Sequence, residues 1–73
     1  MAFYKITKYD KFFLTSIGRH IYVIHVGDNS CPDIKIGDEV EIENEVFIVE
    51  NMEWFEKSFH MRGNNVSLLL KEK

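Results

Sequence analysis

The chain reads as an all-β protein, a small closed antiparallel Greek-key barrel of about six strands. Three observations predict it. Val40 and Ile42 alternate with Glu39, Glu41 and Glu43, the period-two pattern of a strand with one dry and one wet face. Short β-branched and aromatic runs recur about every ten residues, divided by turn-forming residues. An open three-stranded sheet would leave either the Ile21–Val26 face or the Leu68–Leu70 face wet, whereas closure removes exposed edges. The runner-up is an open five-stranded sheet with one helix over Met52–Met61.

Phe3 to Tyr9 forms a first strand, with Phe3, Lys5, Thr7 and Tyr9 on one face and Tyr4, Ile6 and Lys8 on the other. Asp10-Lys11 breaks it, and Phe12-Phe13-Leu14 is too short an apolar run for a helix. Gly18 permits a bulge or sharp turn before a strand over His20 to Val26 that is apolar on both faces and therefore central. Gly27 to Asp33 concentrates turn chemistry and reads as an exposed, mobile loop. Gly37-Asp38 turns the chain into the Glu39–Ile42 strand. Glu43-Asn44-Glu45 reverses it into a strand that starts near Val46 and continues to Trp54-Phe55. Gly63-Asn64 closes the next segment, and Asn65 to Leu70 is the last strand before a solvated end. Ile21, Val23, Val40, Ile42, Ile48, Val66 and Leu68 are the expected shared core.

Seventy-three residues make one domain, spanning 1–73, with a thin core to which ten aromatic side chains contribute large apolar areas. Cys31 stands alone, so no disulfide can form within one chain. With no apolar run long enough for a signal peptide or a membrane span, a soluble cytoplasmic protein is expected, without membrane association. The net charge of −3 is unevenly spread. Eight acids lie from Asp38 to Glu56 without a Lys or Arg, while the two ends of the chain are basic. Such charges on solvent faces keep edge strands from pairing with other chains. The sharper reading is a polarised surface, in which Glu39, Glu41, Glu43 and Glu45 meet a basic protein partner.

Four segments in order carry a family resemblance covering most of residues 12 to 70. They are Gly18-Arg19 leading into Ile21–Ile24, the run from Ile34 through Ile36-Gly37-Asp38-Glu39-Val40 to Ile42, Met52-Glu53-Trp54-Phe55-Glu56-Lys57, and Gly63-Asn64-Asn65-Val66 with Leu68-Leu69-Leu70. Together the chain resembles domain II of translational GTPases, the β-barrel best known in elongation factor Tu, here standing alone. His20 replaces that family's second glycine after Arg19, and the loop with Cys31 and Pro32 is about two residues longer than the family's. The resemblance implies a six-stranded Greek-key barrel, and a pocket for the aminoacyl end of a transfer RNA built with Glu53 and Asn65, with Arg19 close by. It implies a translation-related partner, transfer RNA or ribosomal RNA.

The residues themselves exclude more than they assign. No Gly-x-x-x-x-Gly-Lys-[Ser/Thr] run exists to cradle nucleotide phosphates. His20 and His25 are an odd number apart on a strand and point to opposite faces, and Cys31 has neither a neighbouring base nor a metal-ligand spacing. No enzyme, no cofactor and no metal are expected. A turn requirement at Asn65 and simple outward alternation at Glu53 account for those residues equally well. Two functions are expected in turn: a non-catalytic RNA- or ribosome-binding module, or an adaptor that binds a protein through the acidic hairpin at 38–56. A pI near 5.5 confines any RNA contact to the basic ends.

Overall fold

The computed structural model describes residues 2–16, 18–55 and 65–73. Six strands form one curled, half-barrel sheet: β1 (Phe3–Lys5), β2 (Tyr9–Ser16), β3 (Arg19–His25), β4 (Glu39–Ile42), β5 (Glu45–Phe55) and β6 (Asn65–Glu72). Their order across the sheet is β1-β4-β5-β6-β3-β2. All neighbours are antiparallel except β1 and β4, whose parallel register sets Phe3 beside Glu39 and Lys5 beside Glu41, a departure from the wholly antiparallel expectation. β1 and β2 are the two edges of the sheet, yet only Ile6, Thr7 and Lys8 separate them in the chain. One N-terminal run thus serves β4 with its first half and β3 with its second.

The bend in that run has a clamp. The Asn29 side chain is buried; its Oδ1 accepts from the N–H groups of Thr7 at 2.9 Å and Lys8 at 3.0 Å, while Nδ2 donates to the carbonyls of Lys8 at 2.9 Å and His25 at 3.1 Å. Every hydrogen-bonding position of a primary amide is filled. The loop at Gly27–Asp33 is exposed as expected at Gly27, Asp28, Ser30, Pro32 and Asp33, but Asn29 and Cys31 are buried, and the Cys31 N–H bonds the Val26 carbonyl at 3.0 Å. Burial pushes the Cys31 thiol up, which lowers its thiolate fraction and its reactivity.

A second clamp holds the other end. Gly37, with φ of +97°, occupies a left-handed position that glycine tolerates without Cβ strain. Just after it, the buried Asp38 carboxylate accepts from Ala2 N–H and Lys35 N–H, both at 3.0 Å, tying the start of β1 to the turn that precedes β4. The β4–β5 reversal is a two-residue turn in which Glu43 and Asn44 both have positive φ, 52° and 70°, the backbone whose twist matches a hairpin.

Val40, Ile42, Val66 and Leu68 are buried as expected, but Ile21, Val23 and Ile48 are half-buried on the outer face, and the core instead takes Tyr22, Ile24, Phe47 and Val49. The reason is parity. Runs such as Ile21–Ile24 and Val46–Val49 are apolar at every position, so alternation cannot say which set faces inward. The inner set also makes an aromatic line, with Tyr9 edge-on to Tyr22 at 5.2 Å and Phe47 between Tyr22 and His20. In β5 the register against β6 slips at Glu50, so Val49 and Met52 both face the core while Asn51 and Glu53 face out. Strand continues through Phe55, which excludes a helix beginning at Met52. The rest of that alternative, with the Gly63-Asn64 turn, lies outside the described residues.

Candidate functional site

The expected site residues fall into three places. Arg19 opens β3 opposite Lys71. Its guanidinium grips the Glu50 carboxylate through two bonds, Nε to Oε1 at 3.1 Å and Nη2 to Oε2 at 3.0 Å. The paired Arg19 holds the Glu50 carboxyl below its ordinary range. Glu53 is exposed on β5 opposite Ser67, four positions along β6 from the Arg19 row, or roughly 13 Å at the rise of a strand. Asn65 is two positions beyond Ser67. Register thus separates Arg19 from Glu53 and Asn65, and this corrects the expectation that Arg19 lies near them, whereas Glu53 and Asn65 share the outer face of neighbouring rows.

Asn65 is the unusual member. It begins β6 between Phe55 of β5 and His25 of β3, fully buried, and neither its Oδ1 nor its Nδ2 has a partner among the described residues. Leaving a buried amide unsatisfied costs about 1–3 kcal/mol. Its cross-strand neighbour shares the condition, because His25 Nε2 is also buried and unpartnered among them. The ring is held by local backbone. Asp28 N–H donates to His25 Nδ1 at 3.1 Å, an arrangement that in the neutral ring puts the proton on Nε2, and Asp28 Oδ1 stands 3.5 Å from the same Nδ1. The ring also lies over Gly27, where an added Cβ would come within 3.0 Å of His25 Cε1.

These two residues line a cleft of about 220 Å³ together with Lys8, Tyr9, Asp10, Val23, Ile24 and Asp28, and their unpartnered atoms lie sealed beneath its surface. Three chain segments build it: the last residue of the β1–β2 junction with the start of β2, the end of β3 with its turn, and the first residue of β6. Sequence reasoning picks out Asn65 but misses His25, Lys8 and Asp10 as its neighbours. The only available signal is the Gly27-Asp28-Asn29 run after His25, which reads first as a turn.

The acidic hairpin is largely answered from within. Glu39 pairs with Lys73 Nζ at 2.8 Å, Glu43 accepts from the Tyr9 hydroxyl, and Glu41 sits beside Lys5 in the β1–β4 register, which leaves Glu45 exposed. His20, on the opposite face from His25, meets Glu72 at 3.1 Å and packs edge-on to Phe47. Among the described residues, no three His, Cys, Asp or Glu side chains converge as metal ligands, and no helix is long and apolar enough to cross a membrane. No family model, no curated protein and no solved structure matches the chain.

Proposed function

We propose that the chain is a non-catalytic binding module of the cytoplasm, a stand-alone relative of domain II of translational GTPases that contacts transfer RNA or ribosomal RNA. The observation that carries this reading is Asn65: an amide kept buried beside a cleft, without a partner among the described residues, is a departure from good packing that ligand binding accounts for. Glu53 lies one outer-face row away, and Lys8 stands at the rim to meet a phosphate. In this reading Arg19 supports the site indirectly, by fixing the β5 bulge through Glu50. The sheet then belongs to the closed Greek-key barrel type, with the β1–β2 run bridging its edges. The adaptor alternative is weaker, since Glu39 and Glu43 already have partners within the chain.

Capture from lysate with and without ribonuclease tests the reading, repeated with Asn65→Leu, with Lys8→Glu and with Glu41 and Glu43 both changed to Lys. RNA capture lost on ribonuclease treatment and in the first two variants is expected. Binding to purified transfer RNA should also weaken with salt, and Lys8→Glu should flatten that dependence by about one phosphate contact. Capture of one protein that resists ribonuclease and disappears only in the double Lys variant would establish the adaptor instead.

A further inference from the structure

The cleft chemistry is more selective than "RNA". We infer that the cleft takes the cis-amide edge of a small, neutral, planar ligand, a carbonyl and an N–H side by side, as in a carboxamide or the lactam of a pyrimidine base. The inference rests on the reading of the Asn65 cleft as the binding site and adds what that site accepts.

Beneath the cleft lie two kinds of donor and one acceptor without partners among the described residues. His25 Nε2–H and the Asn65 Nδ2 protons need acceptors, and Asn65 Oδ1 needs a donor. A cis-amide edge placed on the Asn65 amide satisfies both of that side chain's ends in a closed pair of bonds. Its carbonyl keeps a second lone pair for His25 Nε2–H. Other classes fit less well. An anion would face Asp10 and Asp28 against the single Lys8, and a cation would bring no acceptor to the two donors. A volume of about 220 Å³ is below the range for drug-sized ligands and suits one ring. Val23, half-buried on the same outer face as His25 and Asn65, gives the cleft an apolar flank for the face of such a ring. The donor is pre-aimed as well: the Asp28 N–H bond and the bare surface of Gly27 fix the imidazole before any ligand arrives. The unpartnered atoms of Asn65 and His25 are sealed from water, so a ligand reaches them only by opening the cleft lining.

The experiment is a nuclear magnetic resonance titration of the full chain, observing the His25 imidazole nitrogens and the Asn65 side-chain amide. The probes are nicotinamide, uracil and, as an anion of similar size, benzoate. Saturable shifts at both residues with nicotinamide or uracil, and none with benzoate, are expected. Uracil binding alone would identify an RNA base as the source of the edge, and nicotinamide alone a free carboxamide. Asn65→Leu should weaken binding at least tenfold. Gly27→Ala, at an exposed position without positive φ, should do the same by displacing the His25 ring, and it decides the matter if the Leu variant fails to fold. No saturable shift with either amide, equal response to benzoate, or unchanged affinity in the folded variants overturns the inference. RNA capture that persists without amide binding sinks this inference alone. Amide binding without RNA capture sinks only the RNA reading.

Discussion

Two asparagines close to the same cleft are treated in opposite ways. Asn29 makes four hydrogen bonds to backbone groups, whereas Asn65, buried more completely still, makes none with its side chain among the described residues. The first is structural by that count. Asn29→Ala strands the N–H groups of Thr7 and Lys8 and the carbonyls of Lys8 and His25 at the bend joining β1 to β2. At about 1 kcal/mol per lost bond, the loss should reach about 3 kcal/mol or more, a large part of a small domain's stability. Urea denaturation should show a clearly lower midpoint; an unchanged midpoint would mean that the clamp contributes nothing. Neither role is legible from residue chemistry alone. Asn in Gly27-Asp28-Asn29-Ser30 is turn chemistry, and nothing in one dimension reports that Lys8, 21 positions earlier, supplies its partners. Asn65 stands out in one dimension through the family resemblance alone, and its want of partners becomes visible only when β3 and β5 close around it.

At the scale of elements, the turns and most strands are legible, although the expected strand Phe3–Tyr9 breaks at Ile6–Lys8 and β2 runs on through Asp10-Lys11. Faces are legible only where apolar and polar residues alternate, as at Val40 and Ile42. Gly37-Asp38 and Glu43-Asn44 announce their reversals by residue type, and both occur where the chemistry places them. By contrast, Ile21–Ile24 and Val46–Val49 hide their orientation in uninterrupted apolarity, and the Glu50 slip changes phase with no Gly or Pro to mark it. The turns support two predictions. Gly37→Ala places a Cβ in a left-handed backbone with open space around it, so the penalty is conformational alone, about 1–2 kcal/mol in chemical denaturation. Asn44→Gly relieves a non-glycine positive φ in the hairpin turn and should raise the melting temperature slightly, by roughly 0.5 kcal/mol of stability. If both substitutions moved stability in the same direction, the assigned turn geometry would be wrong in one of them.

For the molecule as a whole, two contacts between distant strands give stability an acid limb and an alkaline limb. The Arg19 bond depresses the Glu50 carboxyl, so its contribution is complete above the ordinary carboxylate range and is lost as pH falls through the depressed value. The Glu43 bond pushes the Tyr9 phenol from 10.0 up to about 12, so that contribution is complete below pH 10.0 and disappears as pH rises toward about 12. Thermal melts across pH should therefore decline at both ends. Tyr9→Phe should flatten the alkaline limb, and Glu50→Gln the acid one. An alkaline decline undiminished in Tyr9→Phe would assign it to other groups.

The sheet order also has a meaning in time. β6 sits between β5 and β3, so the middle of the sheet is the segment that a ribosome makes after all the other described strands. Until it emerges, β3 and β5 each present an unpaired edge and apolar side chains to a crowded surrounding. Their proper neighbour arrives last. A nascent chain held back just short of Asn65 would carry five strands and no centre, and it is at that interval in synthesis that this protein is most exposed to mispairing and to chaperone capture.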